Sequence, residues 1–384
     1  MRIVVLSNCD LIESQGSGYV IMNFARGLQS RGHEVRMLGP SDCCFLPSLR
    51  KARSLRLALG MWHQSSRQVA SMRPDLVEFY GGEAWLATDR LRRLSRRQFK
   101  IVAHSNGIEP FAAETLARHG IGVRTQDKML KWYQGRLHPP IAKAFSRADA
   151  VVTVSQSEAD YVIRSAFQPA ERVLAIDNAL PEDFLGQPVD FNRPNIIGYC
   201  GSWLPRKGVR VLGPDLSRLL REKPDWRLHL VGVGRDFRPE SHFEKDVTKQ
   251  IVITDFVVNK SDLRLIYRTW AIALMPSIYE SFGLVGAEAM ACGCALVAGR
   301  TGFAANLVDG MEALLLTELR SPLLYTAIRR LIESETMRRQ IAEAGWQRVQ
   351  GLRWRNNIDR LERFYRQLTE SNGSAAPSPR ALPL

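Results

Sequence analysis

The sequence predicts an α/β protein built as two Rossmann-like, doubly wound domains facing a central cleft. Three observations carry that prediction. A length of 384 residues exceeds what one ordinary hydrophobic core fills. Short β-branched runs alternate with amphipathic stretches along most of the chain, as expected for parallel strands joined by helices. A segment bearing prolines and a glycine breaks the alternation near the middle, and the alternation then restarts.

In chain order, "RIVVLS" (2–7) is expected to be a first strand rather than a secretory leader, because its apolar run breaks at Asn8 and Asp10. A glycine-bearing loop, "QGSG", leads into a helix in which Val20, Phe24 and Leu28 recur at helical spacing. "HEVRML", "DLVEFY", "KIVAHS", "AVVTVS" and "RVLAIDNA" complete the strands of a first domain, 1–187. Residues 188–195 form the linker. "NIIGYCGS", "RLHLVGVG", "QIVITDF", "AIALMPS" and "CALVAG" supply the strands of a second domain, 196–350. A terminal helical segment, 351–370, precedes a Pro/Ser/Ala-rich tail, 371–384, expected to be disordered. Two such domains would create a cleft at the carboxyl ends of both sheets.

Composition narrows the function. A hydrophobic content of 45% with 24% charged residues is that of a soluble globular protein. No apolar run reaches about 18 residues, so no transmembrane helix is expected. The six cysteines include no Cys-x-x-Cys and no matched histidine spacing, which argues against a zinc site and for a reducing compartment. A net charge of +14 suggests an anionic partner: nucleotide phosphate, lipid head group or nucleic acid. The arginines lack interleaved aromatics or a known module, so nucleic acid is not expected.

The most informative stretch is "PSIYESFGLVGAEAMACG", residues 276–293. Its strand delivers Glu280 to the cleft, and "FGLVGAEAMACG" follows as a helix stopped by Gly293. The amides of Ser281, Phe282 and Gly283 lie near the helix start, where unpaired N–H groups favour anions or hydroxyl oxygens. Glu288 falls inside the helix, roughly 12 Å along at ~1.5 Å per residue. Two carboxylates so placed could hold two polyols separated by a diphosphate, each accepting hydrogen bonds from neighbouring hydroxyls. The gap alone is uninformative, since Glu335/Glu343 and Glu362/Glu370 share it. What sets this pair apart is the apolar sequence around Glu288.

"PSIYESFGLVGAEAMACGCALVAG" resembles the E-x7-E segment of the family 4 retaining glycosyltransferases of the GT-B fold, the glycosyl transferases group 1. "GLQSRGHEVRML" is similar to that family's first helix-to-strand junction, and "ADAVVTVSQSEADYV" to its last strand–helix unit before the linker. "CGSWLPRKGVRVL" resembles its diphosphate-binding loop. The resemblance implies an enzyme that moves a hexose from a nucleotide-sugar donor to a hydroxyl of a glycan or lipid-linked acceptor. It implies that Glu280 meets the donor sugar with the backbone of Ser281, Phe282 and Gly283, and that Glu288 takes the ribose. Lys207 would meet the diphosphate, and Gly16 would let backbone amides approach the same phosphates. His104 matches the family's active-site histidine beside the donor sugar. Three positions depart from the family pattern. Ser202 stands where a diphosphate arginine is usual, with Arg206 as a replacement; Ala179 follows Asn178 where glycine is preferred; and Asn306 replaces an acidic residue. These support one alternative, a GT-B nucleotide-sugar-binding protein with little turnover. A sugar-nucleotide epimerase is the other, opposed by the "ESFG" segment.

No two aspartates are separated by a single residue, so the metal clamp of the other major glycosyltransferase fold is not expected. Lys207, Arg206 and the amides near Gly16 would neutralise the diphosphate with no metal or cofactor. Location follows from a second pattern. Arg50, Lys51, Arg53 and Arg56 fall among Leu46, Leu49, Leu55, Leu57, Leu59, Met61 and Trp62, and "RLRRLSRRQFK" follows at 90–100. Such mixtures suit a helix lying in lipid head groups, which predicts a cytoplasmic protein, peripheral on the inner face of an anionic membrane. The competing expectation is a pair of solvated arginine-rich helices.

Overall fold

The structure, a computed structural model, describes residues 1–13, 16–43, 45, 52–95, 97–121 and 138–370. The first domain contains strands β1 (Arg2–Ser7), β2 (Glu34–Leu38), β3 (Leu76–Tyr80), β4 (Lys100–His104), β5 (Ala150–Thr153) and β6 (Val173–Ala175). Helices α1 (Gly16–Gln29), α2 (Arg53–Met72), α3 (Trp85–Arg92), α4 (Glu109–Arg118), α5 (His138–Ser146) and α6 (Gln156–Arg164) lie between them. The second domain contains β7 (Ile196–Cys200), β8 (Arg227–Val231), β9 (Ile251–Thr254), β10 (Ile272–Met275), β11 (Ala295–Gly299) and β12 (Leu314–Leu316). Its helices are α7 (Val209–Glu222), α8 (Lys260–Tyr267), α9 (Leu284–Ala291), α10 (Leu323–Glu333) and α11 (Glu335–Val349), and α12 (Trp354–Glu370) follows.

Both sheets are parallel. Their orders are β2-β1-β3-β4-β5-β6 and β12-β11-β10-β7-β8-β9. Helices cover both faces, so β3 and β11 are buried at every position, which is why parallel strands read as continuous apolar runs. Strand order reverses beside β1 in the first sheet and beside β7 in the second. Open α/β sheets bind ligands in the crevice outside the strands' carboxyl ends at such points. Every strand expected from the sequence forms. β12 was not foreseen: three leucines carry no period that separates a strand from a helix.

The terminal helical segment does not stay with the second domain. After Val349 the chain crosses back, and α12 buries Ile358, Leu361 and Tyr365 against Ile3, Val5, Phe24 and Leu28 of the first domain's core. Trp354 Nε1 donates to the Tyr19 hydroxyl at 2.8 Å, and Asn357 Nδ2 to the Asp177 carbonyl at 2.6 Å. This return ties the two domains together and fixes how they face each other. Among the described residues, no helix is long and apolar enough to cross a membrane.

Candidate active site

The loops after β1, β4, β7 and β10 meet at a cleft of about 370 Å³ between the domains. Gly16 and Ser17 open α1 on one side. Arg206, Lys207 and the Glu280–Leu284 turn line the other. Gly16 sits so close to the second domain that a Cβ there would come within 3.6 Å of Leu284 Cδ1. The N-termini of α1 and α9 therefore point toward the same space. α9 has no side-chain cap, and its N-cap, Gly283, has φ of +93°, a conformation that favours glycine. Its free amides are available to an anion.

The turn carrying Arg206 and Lys207 is held equally tightly. At Gly208, with φ of +76°, an added Cβ would lie 1.8 Å from the Pro276 carbonyl oxygen. Only glycine lets the two loops pack this closely, and the packing brings Lys207 to Glu280. Lys207 Nζ donates to Glu280 Oε1 at 2.5 Å, and the Ser277 hydroxyl donates to the same oxygen at 2.6 Å. Arg206 Nη1 stands 3.9 Å from Oε2. The Glu280 amide donates to Thr301 Oγ1 at 2.9 Å, fixing the backbone of the turn. Residues assigned from sequence to the diphosphate and to the donor sugar are thus bonded to each other.

Glu288 is 1% exposed and does not line the cleft. Lys260 Nζ donates to its Oε1 at 2.5 Å and the Tyr267 hydroxyl to its Oε2 at 3.2 Å. Lys260 was not anticipated, because nothing in "VVNKSDL" marks it as the partner of a carboxylate 28 positions on. The departures also find their places. Ser202 is exposed and lies outside the cleft lining, whereas Arg206 is in it. Ala179 is fully buried beside Asn178, whose side chain reaches the cleft with Oδ1 buried and unpartnered among the described residues. Asn306 ends a short turn, Gly302–Asn306, and is exposed.

His104 requires correction. It is 1% exposed at the end of β4 and lines no part of the cleft. Its Nε2 lies 2.5 Å from Glu78 Oε1 and 2.7 Å from the Tyr365 hydroxyl, which itself donates to Glu78. The Tyr80 ring packs against the imidazole at a centroid distance of 4.5 Å. His104 thus joins the first sheet to α12. The side chain that reaches the cleft from this strand end is Asn106, two residues on. The strand must finish inside the core before its loop can emerge, and that displacement is invisible in the local sequence.

A second buried carboxylate bridges the domains. Glu158 of α6 accepts from the Ser105 hydroxyl, from the Ile108 amide at 3.2 Å and from the Tyr279 hydroxyl at 2.8 Å. Burial raises its pKa. Tyr279 immediately precedes Glu280, so this contact fixes the Asn106 loop against the Glu280 turn. Nearby Glu109 has a pKa pushed up to about 7, chiefly by burial and then by the Glu83 carboxylate.

Of the basic residues expected at a membrane, Arg50 and Lys51 lie outside the described residues, as do Leu46 and Leu49. Arg53 is exposed on α2 and Arg56 half-buried. Leu55 and Trp62 are exposed, but Leu57 and Met61 turn into the core. Arg97 is bound to Asp149 through both terminal nitrogens, and the Arg90 guanidinium sits 5.7 Å from the centre of the Trp62 ring.

Comparison with known proteins agrees with this fold. The profile described as "Glycosyltransferase Family 4" matches residues 14–184, and that described as "Glycosyl transferases group 1" matches 194–334. A D-inositol 3-phosphate glycosyltransferase of Nocardiopsis dassonvillei is 30% identical over 192 residues, covering 46% of this chain and 43% of that protein. The chain matches about half the length, or less, of such curated relatives. Among solved structures, sucrose-phosphate synthase from Thermosynechococcus elongatus superposes with a TM-score of 0.74 at 17% identity, covering 97% of this chain and 100% of that one. Anabaena HepE, in complex with UDP and glucose, gives 0.66 at 18% identity, with coverages of 97% and 100%. With both profiles matched in succession across two Rossmann-like domains, the chain belongs to the family 4, group 1 glycosyltransferases of the GT-B fold.

Proposed function

We propose that the chain is a retaining glycosyltransferase that moves a sugar from a nucleotide-sugar donor to a hydroxyl of a glycan or lipid-linked acceptor, without a divalent metal. One observation carries this reading: Lys207, Arg206 and the N-termini of α1 and α9 converge on one interdomain cleft, with Glu280 among them. An arriving diphosphate takes Lys207 from Glu280 and meets Arg206 and the helix amides. The freed Glu280 carboxylate then accepts hydroxyls of the donor sugar, supported by the backbone of Ser281, Phe282 and Gly283. The ribose is assigned to Glu288, which is paired with Lys260.

The acceptor hydroxyl enters at the anomeric carbon on the face from which the phosphate departs. The carbon–oxygen bond to the diphosphate breaks, the new glycosidic bond forms, and the departing phosphate oxygen takes the hydroxyl proton. Such a route asks for positioning and charge stabilisation rather than a side-chain base. Asn106 fits it, because an amide can orient a sugar but cannot take its proton.

A thermal-shift screen against UDP-, GDP-, ADP- and dTDP-sugars tests the donor reading, with UDP-sugars first. A bound donor stabilises by mass action, by about 2.7 kcal/mol at a hundred times its Kd. One donor class is expected to raise Tm and to release free nucleotide in excess EDTA. Absence of any shift overturns the donor site, and a strict need for manganese or magnesium overturns the metal-free mechanism.

The membrane reading also stands as a proposal, cytoplasmic and on the inner leaflet, supported by Arg53, Leu55 and Trp62 on the outer side of α2. Each basic residue near an anionic surface contributes about 1 kcal/mol, less as salt rises. Sedimentation with anionic liposomes is expected at low salt and is expected to fall when Arg50, Lys51, Arg53 and Arg56 become Ser. Equal recovery in the supernatant under every condition favours solvated helices instead.

A further inference from the structure

Beside the donor cleft lies a second recess of about 360 Å³. It shares Asn106, Arg206 and Ser281 with the cleft and extends to Asn8, Glu109 and Tyr279. The donor assignments use neither Asn8 nor Glu109.

Its hydrogen-bonding character is set from one end. The Glu83 carboxylate, which only accepts when ionised, takes Asn8 Nδ2 at 2.8 Å. Asn8 therefore turns Oδ1 toward Asn106, whose Nδ2 donates to it at 3.0 Å. The same amide nitrogen approaches Cys9 Sγ at 3.6 Å. Asn106 is left with Oδ1, an acceptor, unpartnered among the described residues. Glu109 adds a carboxylate whose Oε2 is buried against Gly82, also without a hydrogen-bond partner among the described residues. Glu83 and Glu158 stand close enough to bear on its charge. In a chain of net charge +14, this wall is locally acidic and rich in acceptors. The cation lining it, Arg206, already faces Glu280 and serves the diphosphate in the proposed reaction.

We propose that this recess receives the acceptor through its hydroxyl groups, and that Glu109 selects an unphosphorylated polyol over its phosphorylated counterpart. The inference rests on the sugar-transfer reading and adds the acceptor's chemical class. A polyol donates to Asn106 Oδ1 and to the part of the Glu109 carboxyl group that lines the recess. A phosphate brings only acceptors when fully ionised and, above about pH 7 where Glu109 is ionised, places like charge against Glu109 and Glu83, an arrangement that suppresses wrong partners. The hydroxyl so held lies next to Ser281, on the wall common to both cavities, where the donor sugar would sit. This separates the chain from relatives whose name carries a phosphorylated acceptor.

Ligand-observed NMR on the full chain, with the nucleotide from the thermal-shift screen present, tests the proposal. The probes are matched pairs: myo-inositol against inositol 3-phosphate, and glucose against glucose 6-phosphate. The neutral member of a pair is expected to bind at least ten-fold more tightly. Glu109→Gln, which removes the charge and keeps the shape, is expected to shrink that ratio at least three-fold. Ala112→Lys places a cation at the rim without touching a buried group, and is expected to shrink or invert it. Preference for the phosphorylated member, an unchanged ratio in both variants, or binding by no probe overturns the proposal. Nucleotide binding is read separately by thermal shift. Its persistence alongside any of those results sinks the acceptor inference alone, whereas its absence sinks the donor site beneath it.

Discussion

Lys207→Ala is expected to lower nucleotide release from the donor by about 10²–10³-fold, the range for losing one preorganised group that stabilises a developing oxyanion. The Lys207 side chain is mostly shielded from water at the centre of the cleft. A charge acting there is screened far less than one at the surface. Its removal also leaves Glu280 without its closest cation, so the carboxylate would face the incoming diphosphate with its charge uncompensated. Arg206 is the natural comparison. Its side chain is 42% exposed and its Nη1 is 3.9 Å from Glu280, so Arg206→Ala is expected to cost about 1 kcal/mol, as exposed pairs do. Steady-state nucleotide release for the two variants, with Tm as a control on folding, decides the order. A larger loss in Arg206→Ala would assign the principal phosphate contact to Arg206, which the serine at 202 permits.

His104→Ala is expected to act on stability, by about 1–3 kcal/mol, because removing one partner of a buried hydrogen-bonded contact leaves the other less satisfied. The group left behind is Glu78, at 2% exposure, which among the described residues keeps the hydroxyls of Tyr365 and Tyr80 as donors. The consequence reaches beyond the first sheet, since Tyr365 anchors α12. Chemical denaturation should show an earlier transition, while the fraction that remains folded keeps its Tm response to nucleotide. Asn106→Ala should do the reverse, changing stability by no more than about 1 kcal/mol for one partly exposed hydrogen bond while lowering turnover. Wild-type stability with abolished turnover in His104→Ala would return the histidine to the donor sugar.

The fold was legible because its cues are local. Continuous apolar runs such as "IVVL" and "ALVA" announce strands covered on both faces, and helical spacing at Val20, Phe24 and Leu28 announces the covering helix. The turn at Glu280 was legible for the same reason: strand, carboxylate, glycine and helix follow one another within a dozen residues. Position along a strand was legible to within a residue or two, and at β4 that margin decided the site. His104 and Asn106 are two positions apart, yet one is core and the other reaches the cleft.

What the sequence by itself determined, then, is the succession of elements, the two-domain architecture and the loops that meet the cleft. Only the tertiary structure decided which charges neutralise one another. Lys207 and Glu280 are 73 positions apart, Asn8 and Glu83 are 75, and Glu78 and Tyr365 are 287. No local pattern specifies such partners, because they are set by how strand order and the returning α12 bring distant loops together. The reason is physical. Secondary structure follows from the periodicity of side chains along one segment. The charge state and free hydrogen-bonding atoms of a site follow from burial and from neighbours across space.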